Sequence, residues 1–239
     1  MAGSTKLSDH TPAPLKPQLL LFPASLRAQS HQRRMIDYLV HVIGAAAEID
    51  LLASREVALP LFNQDLERDR QILDQITALH HRFRRADGII VASPEYNGHV
   101  SPYLKNTVDW VSRLPRIDPG FRFDNAFRNK PLLLASASTG WSGGVMGLRD
   151  AQSIFAHLGC LVSPEQITVS HADHWASDGP FQFEAVFAEQ IEQIMDSFLT
   201  TVRNLAGAKT NSFDGTAPCH KQNDKIGIGR FSTVYCAAP

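Results

Sequence analysis

Cysteine is scarce in this chain: Cys160, Cys219 and Cys236 are the only three among 239 residues, and no two share a C-x-x-C spacing. That set is too small and scattered for a disulfide framework or a thiolate zinc site. An excess of either charge is missing too. Lys and Arg number 23 against 24 Asp and Glu, a formal net charge of -1 at pH 7. So balanced a chain has no bulk field to draw it to nucleic acid or to an anionic membrane. No apolar run is long enough to span a bilayer. Residues 1–17 are polar and proline-bearing and lack the apolar stretch of a secretion signal. The expectation is a cytoplasmic protein that engages neither nucleic acid nor membrane.

What is present is ordinary globular material, 44% hydrophobic and 20% charged, in a length ample for one well-buried core. Residues 1–17 read as a disordered leader. Short apolar runs at 18–22, 48–53, 88–93, 131–136 and 161–169 read as strands. Between them apolar residues recur at helical spacing: Ile36, Leu39, Val40 and Ile43; Ile72, Ile76, Leu79 and Phe83; Leu104, Val108 and Val111; Leu148, Ala151, Phe155 and Leu158. The last of these helices is closed by Gly159. A long fifth helix carries Phe187, Ile191, Ile194, Met195, Phe198 and Val202. Nearly continuous apolar strands alternating with helices predict a doubly wound parallel sheet covered on both faces. The domain is expected over 18–206, with 207–239 a mostly disordered tail.

In such a sheet ligands sit beyond the C-terminal ends of the strands, so three loops matter. After the first strand, Ser25, Arg27 and Ser30 cluster ahead of a helix N-terminus, whose unpaired amides and partial positive charge suit a phosphate. Ser30 alone would read as an N-cap. The loop has neither the glycines nor the Gly-Lys pair of the nucleotide fingerprints. After the third strand comes Ser93-Pro94-Glu95-Tyr96-Asn97-Gly98-His99. It reads equally as a plain surface turn or as a loop that aims backbone groups at the edge of a flat heterocycle. After the fourth, the run from Ser136 through Ser138, Thr139, Gly140, Trp141 and Gly143 to Gly144 is either a flexible crossover or a glycine-opened approach to a ligand.

These loops resemble the NADPH-dependent FMN reductase family, in its quinone, azo and chromate reductase branch. The Ser-Pro-Glu-Tyr-Asn-Gly loop at 93–98 matches the family pattern unchanged. Similar too are the Ala-Ser-Leu-Arg loop at 24–33, the Leu-Pro-Leu-Phe-Asn-Gln-Asp segment at 59–65 and the Leu-Lys-Asn-Thr-Val-Asp-Trp helix at 104–110. The resemblance implies a flavodoxin-like three-layer sandwich with a five-stranded parallel sheet. It implies FMN as cofactor, NADPH or NADH as co-substrate, and a small-molecule acceptor such as a quinone, azo compound, metal oxyanion or free flavin. It implies that Ser25, Arg27 and Ser30 hold the FMN phosphate, that Pro94, Glu95, Tyr96 and Asn97 line the ring mainly through backbone groups, and that Gln32 and Gly98 belong to the same cofactor site. Ser138, Thr139, Gly140 and Gly143 would close the other side, with no side chain needed as acid or base. Lys105, Asn106, Asp109 and Trp110 would position their helix and an interface in a homodimer or homotetramer. Two positions depart from the pattern. Ala24 replaces a glycine and so requires negative φ, and Gln32 replaces an asparagine.

Other readings compete: a single-electron carrier of the flavodoxin type, which near-neutral charge disfavours, and a non-enzymatic flavin-binding adaptor. No metal is expected. His80 and His81 are adjacent and face different parts of a helix surface, His171 and His174 read as solvent or interface residues, and the Arg82, Arg84, Arg85 run suits a helix C-terminus. Cys160 reads as a small core residue.

Overall fold

The computed structural model describes residues 16–175 and 179–211; the leader before residue 16, and Cys219 and Cys236 in the tail, lie outside the described residues. The chain runs β1 (Gln18–Pro23), α1 (His31–Ile43), β2 (Glu48–Leu51), α2 (Arg70–Arg85) and β3 (Gly88–Ala92). It continues through β4 (Glu95–Tyr96), β5 (His99–Val100), α3 (Pro102–Ile117), β6 (Pro131–Ala137), α4 (Val145–His157), β7 (Leu161–Val169) and α5 (Ala185–Asn211). Five strands form one parallel sheet in the order β2-β1-β3-β6-β7, and β4 and β5 pair antiparallel as a separate hairpin.

Alternation along the inner strands sorts the core into two layers. Leu20, Phe22, Ile89, Val91, Leu132 and Leu134 face α2, α3 and α4 through Leu79, Phe83, Leu104, Val111, Leu148 and Phe155. Leu19, Leu21, Ile90 and Leu133 face α1 and α5 through Met35, Ile36, Leu39, Ile191, Met195 and Val202. Both faces of β3 and β6 are therefore sealed, which is why those strands read as unbroken apolar runs. Each such side chain removed from water is worth about 1.5–3 kcal/mol. Cys160 sits in the first layer, its thiol pushed up to about 12 by burial. The helix α5 runs past Ala206, where its apolar pattern fades, to Asn211.

Several helix ends are specified locally. Ser30, Asp69 and Ser101 each accept an amide of the following first turn. The basic end of α2 does more than complement the helix dipole: Arg82 binds Asp50 and Glu56, and Arg84 binds Asp124. His80 differs from its expected place on the helix surface. It is fully buried, its Nε2 2.8 Å from the carbonyl of Asp124 and its ring against Phe121.

Candidate functional site

Strand β1 lies between β2 and β3, so the chain leaves β1 in one direction and returns on its other side. This is the switch point of a doubly wound sheet, the place beyond the strand ends where such folds bind ligands. The loops after β1, β3 and β6 follow three neighbouring strands of the sheet there.

The first loop turns sharply into α1. Ala24 donates its N–H to the carbonyl of Ala92 at 2.8 Å. It is absent from the positive-φ residues, so it meets the backbone requirement that came with replacing glycine. Ser25 and Ser30 are buried while Arg27 is exposed. Ser30 Oγ accepts from Arg33 N at 3.1 Å and Ser25 Oγ from Arg27 N at 3.3 Å. No acidic residue occupies the first turn of α1, and its leading amides lie outside the helical ladder. Gln32 is buried and donates Nε2 to the carbonyl of Ala137 at 2.7 Å. Its longer side chain thus ties α1 to the end of β6, and that amide proton is committed to the protein rather than to a ligand.

The second loop is a hairpin. Asn97 and Gly98 both have positive φ, 52° and 77°, as a two-residue turn between twisted strands requires. Pro94 is buried and Tyr96 and Asn97 are exposed. Glu95 turns its carboxylate to the start of α4, where Oε2 accepts from Met146 N at 2.9 Å and Gly147 N at 3.0 Å. Because Gly144, ahead of α4, has no side chain to cap with, Glu95 supplies that cap from another loop and binds the hairpin to the third loop. His99 pairs with Asp150 of α4.

The third loop is pinned at its base and exposed at its tip. The carbonyl of Ser138 accepts from Ala172 N at 3.0 Å, and that of Gly140 accepts from His171 N at 3.3 Å. Thr139, Gly140 and Trp141 face solvent, whereas Gly143 is buried. A Cβ on Gly144, at φ +91°, would fall 1.9 Å from Ser136 Oγ, so this close approach demands glycine. Nine large hydrophobic side chains are exposed among the described residues, and five of them, Leu26, Tyr96, Trp141, Val145 and Met146, lie on these three loops and the start of α4. The loops at the strand ends, with the start of α4, thus carry more than half of the exposed large apolar side chains among the described residues.

The helix motif around 104–110 sits outside this rim. Asn106 accepts from Phe62 N at 2.7 Å and donates to the carbonyl of Pro60 at 2.9 Å. Trp110 Nε1 donates to the same carbonyl at 2.8 Å, and Lys105 pairs with Asp109 along α3. Asn106 and Trp110 therefore hold the 59–62 segment against the domain. His171 and His174 stack at 5.7 Å beside the third loop. His31, at the first position of α1, stacks at 6.2 Å on Phe181.

An open parallel sheet with an anion-ready helix start and an apolar rim at its switch point defines a flavodoxin-like nucleotide-binding fold. The sequence profile of the NADPH-dependent FMN reductases matches residues 17–174, more than half of the chain, and the protein belongs to that family of oxidoreductases. It is 31% identical over 147 residues to a quinone reductase of Escherichia coli strain K12, covering 62% of this chain and 73% of the relative. An NADPH:quinone oxidoreductase of Arabidopsis thaliana is 40% identical over 157 residues, covering 62% and 72%. Among solved structures, a flavoenzyme NAD(P)H:(acceptor) oxidoreductase from Paracoccus denitrificans has the same fold. Its TM-score is 0.66 at 24% identity, covering 79% of this chain and 98% of that one. No described helix is long and apolar enough to cross a membrane.

Proposed function

We propose that this chain binds FMN in the crevice at the ends of β1, β3 and β6 and passes reducing equivalents from NADPH or NADH to a flat quinone-type acceptor. The observation that carries this is the convergence of an acid-free helix N-terminus with five of the nine exposed large hydrophobics on one rim. FMN, when bound, supplies a ring that takes hydride from the nicotinamide and gives it to the acceptor. The leading amides of α1, with Ser25, Arg27 and Ser30, would hold its phosphate. Backbone groups of 94–98 would border the ring's polar edge, with Tyr96 beside it and 138–143 closing the opposite side. Leu26, Trp141 and Met146 would keep water off and give an aromatic acceptor an apolar seat. A cytoplasmic location and a homodimer or homotetramer belong to the same proposal, the latter measured by sedimentation equilibrium.

A visible absorption spectrum of the purified protein, before and after anaerobic NADPH, tests the reading. The expected result is a flavin spectrum that bleaches with NADPH and returns on adding a quinone. Flavin that stays oxidised with both nicotinamides would replace the reductase with an electron carrier. A protein that takes up no flavin even when given FMN would overturn the proposal.

A further inference from the structure

The peptide between Ser25 and Leu26 is oriented from a distance. In a trans peptide the C=O and the following N–H point in opposite directions. Ser54 Oγ, in the turn after β2, donates to the carbonyl of Ser25 at 2.5 Å, far shorter than its 3.5 Å approach to the carbonyl of Pro23. With that carbonyl drawn toward the turn after β2, the N–H of Leu26 points away from that turn. A parallel tie holds the preceding peptide, where Ser101 Oγ donates to the carbonyl of Ala24 at 2.8 Å.

Ser54 is itself braced. Tyr103 Oη donates to its carbonyl at 3.1 Å. The turn is closed by Ala53 N donating to Glu56 Oε2 at 3.2 Å and by Glu56 N donating to the carbonyl of Ala53 at 2.9 Å. Arg82 of α2 clamps the turn's outer side through Glu56 Oε2 at 2.5 Å and the carbonyl of Leu51 at 2.9 Å. A hydroxyl hydrogen bond on so rigid a base is pre-organised before any ligand arrives.

We infer that Ser54 is a positioning residue for the phosphate end of the cofactor site, acting through the Ser25–Leu26 peptide to present the Leu26 amide to the anion. The inference rests on the reading of the first loop as the phosphate cradle. No motif marks this serine; it lies in the run Ala53-Ser54-Arg55-Glu56, outside all three loops.

The test compares apo protein titrated with FMN and with riboflavin, which lacks the phosphate, for the wild type, Ser54→Ala and Ser54→Thr. Ser54→Ala should weaken FMN by about three- to tenfold, the range of one lost hydrogen bond, leave riboflavin affinity unchanged, and lower Tm by no more than about a few degrees, as the loss of one internal hydrogen bond does. Ser54→Thr, which keeps the hydroxyl, should restore FMN binding. Equal loss for both ligands or no change in FMN affinity would each overturn the assignment. If the wild type itself binds FMN no more tightly than riboflavin, the first loop is not the phosphate cradle, and the inference falls with that reading.

Discussion

Gly144 is the residue on which the third loop turns. Its φ of +91° is one that L side chains rarely adopt, and Ser136 Oγ lies where a Cβ would be. Gly144→Ala is expected to destabilise the domain by about 1–3 kcal/mol through overpacking and backbone strain, read as a lower urea midpoint at an unchanged m-value. Ser136→Ala in the same background relieves the closest contact and should recover part of the loss. The residue scale is also where the sequence was least informative. Glycines at 143 and 144 were legible as freedom for the backbone, but their need came from contacts with Ser170 and Ser136. His80 was misread for a related reason. Its partner Asp124 lies 44 residues away, and nothing near it in the chain announces that carbonyl. Asn106 and Trp110 were legible as a motif on a helix, whereas their common anchor, the carbonyl of Pro60, was not.

At the scale of elements, the join between hairpin and helix is a single carboxylate. Glu95→Ala leaves two first-turn amides of α4 uncapped and removes a negative charge from the positive end of the helix dipole. The expected cost is about 1–2 kcal/mol, with faster amide exchange at Met146 and Gly147. Glu95→Gln keeps an acceptor and should lose roughly half as much. Equal effects for the two variants would mean that charge contributes nothing. The long elements were legible because each repeats its signal: five helices at 3.6 spacing and the apolar strands between them lie where the pattern predicted. Strands β4 and β5, two residues each, are too short to carry any period. There only the Asn97-Gly98 pair spoke, and it specified a turn without saying what the turn would hold.

At the scale of the whole molecule, one buried and one half-buried imidazole, His80 and His31, contribute to the response to acid. Burial holds the pKa of His80 below its ordinary 6.5, and burial with Arg34 and Arg27 nearby does the same for His31 against a weaker pull from Asp173. Both groups bind protons more readily unfolded than folded, so stability rises with pH through the interval between the two pKa values. It is fully present above about 6.5 and lost as pH falls below that value. Urea midpoints measured from pH 8 to pH 5 should show this decline, with a shallower slope in His80→Phe; an unchanged slope would assign the acid sensitivity elsewhere. The strand order carries a consequence for how the protein is born. Of the described strands, β1 leaves the ribosome first, yet it is flanked by β2 and β3, and its partner Gly88 is 69 residues downstream of Leu19. At about 5–20 residues per second, Leu19, Leu20, Leu21 and Phe22 wait several seconds for their second neighbour. The proposed cofactor site, whose loops follow β1 and β3, cannot assemble until then. Among the described strands, β1 is thus the one whose apolar side chains wait longest for both of their neighbours.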